Sequence, residues 1–400
     1  MHPSEAIRAS EGEELLGKTI ILAVCGSIAA VEAVKLARKL IRHGADIYPV
    51  ITEAAQGIIH PNALEFAAGR KPVSQLDGSV QHVDLCGSSG RADLLLIAPA
   101  TANTISKMAC GIDDTPVTTF ATTALGSGIP IMVAPAMDVS MYDHPIVGEN
   151  IQRLRRLGVE FIEPLMEEQK AKLADIEVIT ARAMRRLGPM DMKGRRVLVI
   201  AGATGELLDD VRIVTALSTG ETGVELARSA FLRGADVELW MGRCSFSIPL
   251  FLKTWRFEST DDLLSKVEDI DHDICAVPAA ITDYVPERKR GKIPSGLETL
   301  MVEMKPNVRV LERIREEYRG TLIGFKLESG VKREELMKRA KGRLKAMDLD
   351  YMVANEMSRV KEGHADWAVI DREGRVETFK GSKREASWGL WSAVLHGIEG

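Results

Sequence analysis

Cysteine is scarce and unpatterned: the 400 residues hold five, at Cys25, Cys86, Cys110, Cys244 and Cys275, with no CxxC pair and an odd total. That argues against a disulfide framework and against a structural zinc site, and leaves reduced, mostly buried thiols as the expectation. Aromatic residues make up only 5%, and no block of Lys and Arg is interleaved with them, so the electrostatic footprint of a nucleic-acid binder is missing. No segment runs long enough without charge to span a bilayer, and the opening MHPSEAIRASEGEELLGK is polar and acidic rather than basic and then apolar. These absences predict a soluble, cytoplasmic protein that engages neither nucleic acid nor membrane. With a net charge of only −5, a small anionic ligand is a better expectation than a polymer.

What is present is alternation. The chain is 45% hydrophobic and 27% charged, too long for one ordinary core and too regularly patterned to be disordered, so two domains are expected. The run KTIILAVCG has strand length, and Ala30, Ala33, Val34, Ala37, Leu40 and Ile41 then recur at helical spacing. ADIYPVIT, ADLLLIAPA and IPIMVAPAM repeat the strand pattern between helical stretches such as Thr104 to Met108. LGPMDMKG then reads as linker, placing a boundary between domains 1–187 and 188–400.

Beyond it the alternation restarts with RVLVIAGATG, a helix through Leu226 to Phe231, ADVELWMG, a helix near Asp261 to Val267, and DICAVPAA. A strand over 297–305, a helix over 308–318, the strand TLIGFKL, a helix over 333–347, the strand DYMVAN, a hairpin at Arg372 to Gly374 and a last helix complete it. The fold class is α/β: two doubly wound domains, the first flavodoxin-like or Rossmann-like, the second Rossmann-like. IRHGADIYPV and FLRGADVELW occupy equivalent places in the two halves, which indicates shared architecture.

In open parallel sheets ligands bind beyond the carboxyl ends of the strands, so the turns at Gly26-Ser27, Ile51-Thr52, Pro99 to Thr104 and Pro135 to Met137 should converge on one crevice. Gly26 and Ser27 precede a helix N-terminus, which suits either a phosphate or a simple cap. Thr101, Asn103 and Thr104 crowd polar side chains into another strand-to-helix turn.

Here VCGSIAA, QHVDL, PATANTISKMACGI and PAMDVSMY, spread over residues 18 to 180, resemble the flavoprotein family of phosphopantothenoylcysteine decarboxylases. The resemblance implies FMN held by Gly26, Ser27, Thr52, Ala100, Thr101, Asn103 and Thr104, a catalytic His82, and substrate contacts from Asp138 and Met141. It also implies oxidation of the substrate's cysteine moiety on FMN, loss of carbon dioxide eased by the resulting thiocarbonyl, and return of the hydride. Two positions depart from the family pattern. Asp138 stands where the family's PAMN motif has an asparagine that holds the substrate carboxylate, and the segment FIEPLMEEQKAKLADIEVI lacks the family's lid cysteine. Lys170 or Lys172 in that segment could neutralise Asp138.

In the second domain, Gly202, Thr204 and Gly205 form a permissive turn after a strand, and Ser218 to Gly223 precede a helix; both suit phosphate oxygens, and both also suit ordinary turns, since GxGxxG spacing is absent. Asp283 and Tyr284 follow a strand end, and Arg288, Lys289, Arg290 and Lys292 then form a flexible cationic connection of the kind triphosphate chemistry needs. AGATGELLDDVR, STGETG, AAITDY, GKIPSG, IGFKLE and VANE, in order across 194 to 395, resemble phosphopantothenate–cysteine ligase.

That resemblance implies CTP as co-substrate with Mg2+. Lys292 would stabilise charge on the phosphates, Asp283 would contact the nucleotide and Phe325 the base, with Ala279 and Asn307 in matching stretches. The family also places lysines on the helix before DYMVAN, where Lys341, Arg343 and Lys345 stand; Lys341 and Lys345 share one face, which suits either phosphate binding or an ordinary solvated surface. The leading expectation is thus one polypeptide performing ligation and then decarboxylation in coenzyme A biosynthesis, as a homo-oligomer built on trimers of the flavoprotein domain. The alternatives are a ligase whose flavin domain has altered or lost decarboxylation, and a flavin-binding regulatory subunit.

Overall fold

The apolar run TIILAV becomes the strand Thr19–Val24, buried along almost its whole length because it lies inside a parallel sheet covered on both faces. This computed structural model describes residues 2–296, 298–356 and 363–399, and the chain divides into two compact units, Met1–Gly188 and Pro189–Gly400.

In the first unit five strands run parallel in the order Asp46–Ile51, Thr19–Val24, Leu94–Ala100, Ile131–Pro135, Glu160–Phe161. The second strand in sequence lies on one side of the first and the third on the other, so the winding reverses between Thr19–Val24 and Leu94–Ala100. One face of the sheet packs Ile21, Leu95, Ile97 and Val133 against Ile105, Phe120 and Leu154 from the helices Ala102–Cys110, Pro116–Ser127 and Pro145–Arg156. Phe120 is wholly buried there, worth about 1.5–3 kcal/mol of apolar transfer.

The second unit carries an eight-stranded sheet in the order Lys253–Arg256, Asp236–Met241, Arg196–Ala201, Ile274–Val277, Thr321–Glu328, Tyr351–Glu356, His364–Asp371, Val376–Ser382. The first six are parallel and the last two add an antiparallel hairpin. Here the winding reverses between Arg196–Ala201 and Ile274–Val277. The sheet is doubly wound like the first, and the expected α/β class holds for both units.

The two similar phrases fold alike. The helices Ala33–Arg42 and Glu221–Leu232 stop at Gly44 and Gly234, with φ of +100° and +99°. Ala45 then donates to the Leu40 carbonyl at 3.1 Å and Ala235 to that of Ala230 at 3.0 Å. Asp46 and Asp236 each start the next strand with a 2.8 Å bond to the residue before the first one.

Several expectations shift. The strand foreseen over 297–305 reduces to Met304–Pro306, which pairs with Tyr284–Pro286; Leu297 lies outside the described residues. The helices foreseen over 308–318 and 333–347 span Val310–Glu317 and Arg333–Ala346. The edge strand Lys253–Arg256 and the hairpin Gly205–Leu207 with Ile213–Thr215 were not foreseen. Among the described residues no helix is long and apolar enough to cross a membrane.

Candidate functional site

In the first unit, three strand-to-helix turns at the winding reversal and beside it are closed by hydroxyls. Ser27 Oγ accepts from the Ala29 amide at 3.4 Å, Thr52 Oγ1 from Ala55 at 3.2 Å, and Thr101 Oγ1 from Thr104 at 3.4 Å. A hydroxyl that accepts an amide at a helix start keeps its own proton free to donate outward, as at Ser27 and Thr52, whereas the Thr101 hydroxyl also lies 3.3 Å from that of Thr104; the caps and the helix N-termini together favour an anion. Gly26 makes the close approach possible, because a Cβ there would sit 2.5 Å from that of Ala54. The turns are tied to each other where the Cys25 amide donates to the Pro99 carbonyl at 3.1 Å.

Ala100 and Thr104 are buried and Asn103 is exposed in the first turn of its helix. Gly26, Ser27, Thr52, Ala100, Thr101, Asn103 and Thr104 therefore all stand at the carboxyl ends of three neighbouring strands. Cys25 lies beneath them; burial pushes its thiol up to about 11 against a hydrogen bond from Thr104, so it stays a neutral thiol.

His82 sits on the short helix Gln81–Cys86, its ring edge against Phe120 with centroids 6.3 Å apart. Its Nδ1 is buried and has no hydrogen-bond partner in the protein, an arrangement that suits a ligand-facing imidazole. Asp138 and the half-exposed Met141 follow the strand Ile131–Pro135. Asp138 caps the helix Val139–Tyr142, accepting from the Ser140 hydroxyl at 2.6 Å and amide at 2.9 Å. These bonds, aided by the charge of Lys170, hold its carboxyl below the usual range, so it is ionised at neutral pH.

The segment without the lid cysteine forms the hairpin Leu165–Glu167 with Lys170–Lys172, whose second strand pairs with Met137–Asp138 and sets Lys170 opposite Asp138. Lys172 faces Glu167 and Glu168 instead, at 3.3 and 2.8 Å. Of the two lysines, Lys170 is the one beside Asp138.

In the second unit a cavity of about 610 Å3 opens at the winding reversal. Ala201 and Gly202, Val277 to Tyr284, Phe325 to Leu327, and Val353 and Asn355 reach it from the carboxyl ends of four neighbouring strands. Of the residues expected to hold a nucleotide, Ala279, Asp283, Asn307 and Phe325 all line it. Asn307 is fixed by its amide, which donates to the Thr282 carbonyl and the Thr260 hydroxyl, both at 2.8 Å. Phe325 meets Trp367 edge-on, with centroids 6.0 Å apart at 83°, forming an aromatic wall. The turn Ser218 to Gly223 also lines the cavity, where the helix Glu221–Leu232 begins.

Lys292, Lys341 and Lys345 do not line the cavity. Arg343 does, from the same helix as the last two, because the helix turns its Leu336, Ala340, Leu344 and Met347 side inward and Lys341 and Lys345 point to solvent. Lys292 is exposed on the connection after Tyr284–Pro286. Sequence reasoning also passed over Asn355, although it stands in the VANE motif; its Oδ1 is buried without a partner in the protein. Lys383 was missed too. It lines the cavity from the start of the C-terminal helix, paired with Glu221, and no local pattern marks it. Among the described residues no three His, Cys, Asp or Glu side chains cluster to hold a metal ion.

Residues 8–188 match the flavoprotein family, and residues 192–397 match the DNA/pantothenate metabolism flavoprotein C-terminal domain. The coenzyme A biosynthesis bifunctional protein CoaBC of Thermococcus kodakarensis is 44% identical over 98% of this chain and 99% of its own length. The protein of that name from Methanocaldococcus jannaschii is 36% identical over 97% and 96%, and that from Bacillus subtilis 33% identical over 93% of each.

Proposed function

The chain belongs to the family of coenzyme A biosynthesis bifunctional proteins, and from that premise we propose that its second unit joins 4'-phosphopantothenate to cysteine and its first unit decarboxylates the product to 4'-phosphopantetheine, in the cytoplasm. The observation that carries the ligase half is the cavity, which gathers Ala279 and Asp283 from one connection, Asn307 from another and Phe325 from a strand onto one space with an aromatic wall. CTP is the co-substrate: the pantothenate carboxylate attacks its α-phosphorus, pyrophosphate leaves, and cysteine's amine then displaces CMP from the acyl carbon. Phe325 lies along the base, Asp283 and Asn307 offer polar contacts to the nucleoside, and Arg343 and Lys292 offset phosphate charge. Mg2+ enters on the triphosphate, whose concentrated negative charge it shares with the cationic side chains.

The first unit's donor set fits FMN, with capped helix starts for its phosphate and the unpartnered His82 Nδ1 beside Phe120. When bound, FMN supplies the two-electron acceptor and donor for the cysteine moiety. His82 holds a proton at the substrate. Lys170, opposite Asp138, is the cation available where a substrate carboxylate would otherwise meet an ionised one. The exposed Ile28 and Val31 beside the Ser27 turn, and Val80 and Val83 flanking His82, support assembly with further copies of the flavoprotein unit into trimers.

The test is mass-spectrometric product analysis after incubating the purified chain with 4'-phosphopantothenate, cysteine, CTP, Mg2+ and FMN. 4'-Phosphopantetheine is the expected product. Accumulation that stops at phosphopantothenoylcysteine would leave a ligase with a silent flavin domain, a reading the ionised Asp138 favours, and no product would sink both assignments.

A further inference from the structure

The cationic connection expected to be flexible is pinned. Within five residues it is tied at three points to the turn between the strands Gly205–Leu207 and Ile213–Thr215. The Lys289 amide donates to the Leu208 carbonyl at 3.0 Å, the Gly291 amide to Asp210 Oδ2 at 2.8 Å, and the Ile293 amide to Asp209 Oδ2 at 3.0 Å. The Ile293 carbonyl in turn accepts from the Arg212 guanidinium at 3.2 Å. Both chain neighbours of Lys292 are therefore held by adjacent aspartates, while its own side chain is left exposed.

Asp209 is fully buried, and every bond it makes belongs to this arrangement. Its Oδ1 accepts from the Val211 and Arg212 amides at 2.8 and 2.7 Å, and its Oδ2 from Ile293 and from the Arg212 guanidinium at 3.0 Å. Burying a carboxylate is costly unless it is saturated with donors, and a loop that needed only to be mobile would not require one. Burial acts to raise its pKa, but the Ile293, Val211 and Arg212 amides outweigh it and keep the carboxyl below its ordinary value.

We propose that Asp209 is a positioning residue for ligation, fixing through the Ile293 amide the point from which Lys292 reaches the phosphates. This rests on the ligase reading of Lys292. An asparagine at 209 keeps the size but must turn its NH2 toward one of the two donor pairs. It satisfies the local turn and releases Ile293, so the Lys292 backbone loses one anchor while the fold keeps its shape.

The experiment compares D209N, K292A and D209N/K292A in the full chain by steady-state ligation, with the melting temperature and the decarboxylation of supplied phosphopantothenoylcysteine measured alongside. Misplacement by about 1 Å costs up to roughly 100-fold, so D209N should lower the ligation kcat by about 10- to 100-fold, with KM for 4'-phosphopantothenate within about twofold and decarboxylation unchanged. Because Asp209 acts through Lys292, the double variant should be no slower than K292A. Should D209N not fold, D210A removes the surface anchor at Gly291 instead, with a smaller kcat loss that is again absent in the K292A background. A normal kcat in the folded variant, or a double variant whose loss is the product of the single losses, overturns the proposal. A K292A chain that ligates at the wild-type rate overturns the Lys292 reading itself and the proposal with it.

Discussion

Replacing Gly223 with alanine should cripple ligation while leaving decarboxylation intact. Gly223 lies in the first turn of the helix Glu221–Leu232, pressed on the end of the strand Arg196–Ala201; a Cβ there would stand 2.0 Å from that of Ala201. Carbon atoms in contact sit about 3.5–4.0 Å apart, so the helix start must retreat by about 1.5–2 Å. Neither atom can swing aside, since both are fixed to backbone. Over-packing of this kind costs about 1–3 kcal/mol, and for a unit of this size each kcal/mol lowers the melting temperature by about 2–4 °C, giving a drop of about 2–12 °C. The same retreat moves Ser218 to Gly223, one wall of the cavity, by more than the roughly 1 Å that can cost on the order of 100-fold in rate. Calorimetry and ligation kinetics on G223A read both effects. G342A serves as control: its new methyl meets nothing within 4 Å on the exposed side of the helix Arg333–Ala346 and should stabilise by about 0.5–1 kcal/mol. A G223A chain that melts and ligates like the wild type would refute the reasoning.

Three further outcomes follow from the geometry. R343A should raise KM for CTP by about tenfold while K341A and K345A change it by less than about twofold, because Arg343 alone of the three lines the cavity; equal effects at all three would show that the helix does not present that face. Native alkylation at pH 8 followed by peptide mapping should label the exposed Cys110 and spare Cys25 and Cys86, whose thiols burial pushes up to about 11 and 12, and Cys275, shifted the same way; rapid labelling of Cys25 would contradict the packing beneath the Ser27 turn. Asp138 and Asp209 have carboxyls held below their ordinary values, so what they contribute to stability is complete above the unfolded pKa of about 3.9 and is lost only as pH falls through the lower folded one. Unfolding of D138A and wild type should therefore show the same pH dependence from 5 to 8 and diverge only below about pH 4; a divergence near neutrality would mean the Asp138 carboxyl is not held ionised.

The α/β class was legible because parallel strands covered on both faces read as unbroken apolar runs, as TIILAV and RVLVIA do, and the helices between them keep a 3.6-residue stripe. The edge strand Lys253–Arg256 was not, since an edge strand is half-exposed and KTWR has neither length nor alternation to announce it. The three-residue hairpins carry too few side chains for any period, and the Asp209-Asp210 turn that anchors the cationic connection is defined by bonds to residues some 80 positions away. Arg343 was within reach: at about 100° per residue, Leu336, Ala340, Leu344 and Met347 define one stripe, with Arg343 on its flank and Lys341 and Lys345 well round toward solvent. Motif order alone favoured the lysines, and the apolar stripe turns them toward solvent, away from the cavity lining. Lys383 and Asn355 mark the opposite limit. They reach the cavity because strands that neighbour each other in the sheet deliver the ends of distant segments to one crevice, and that adjacency is set by winding order. In both units the candidate side chains stand at the carboxyl ends of strands beside the winding reversal, so strand order, more than any single motif, explains why residues as far apart as Gly26 and Thr101, or Ala279 and Asn355, are brought to one end of the sheet.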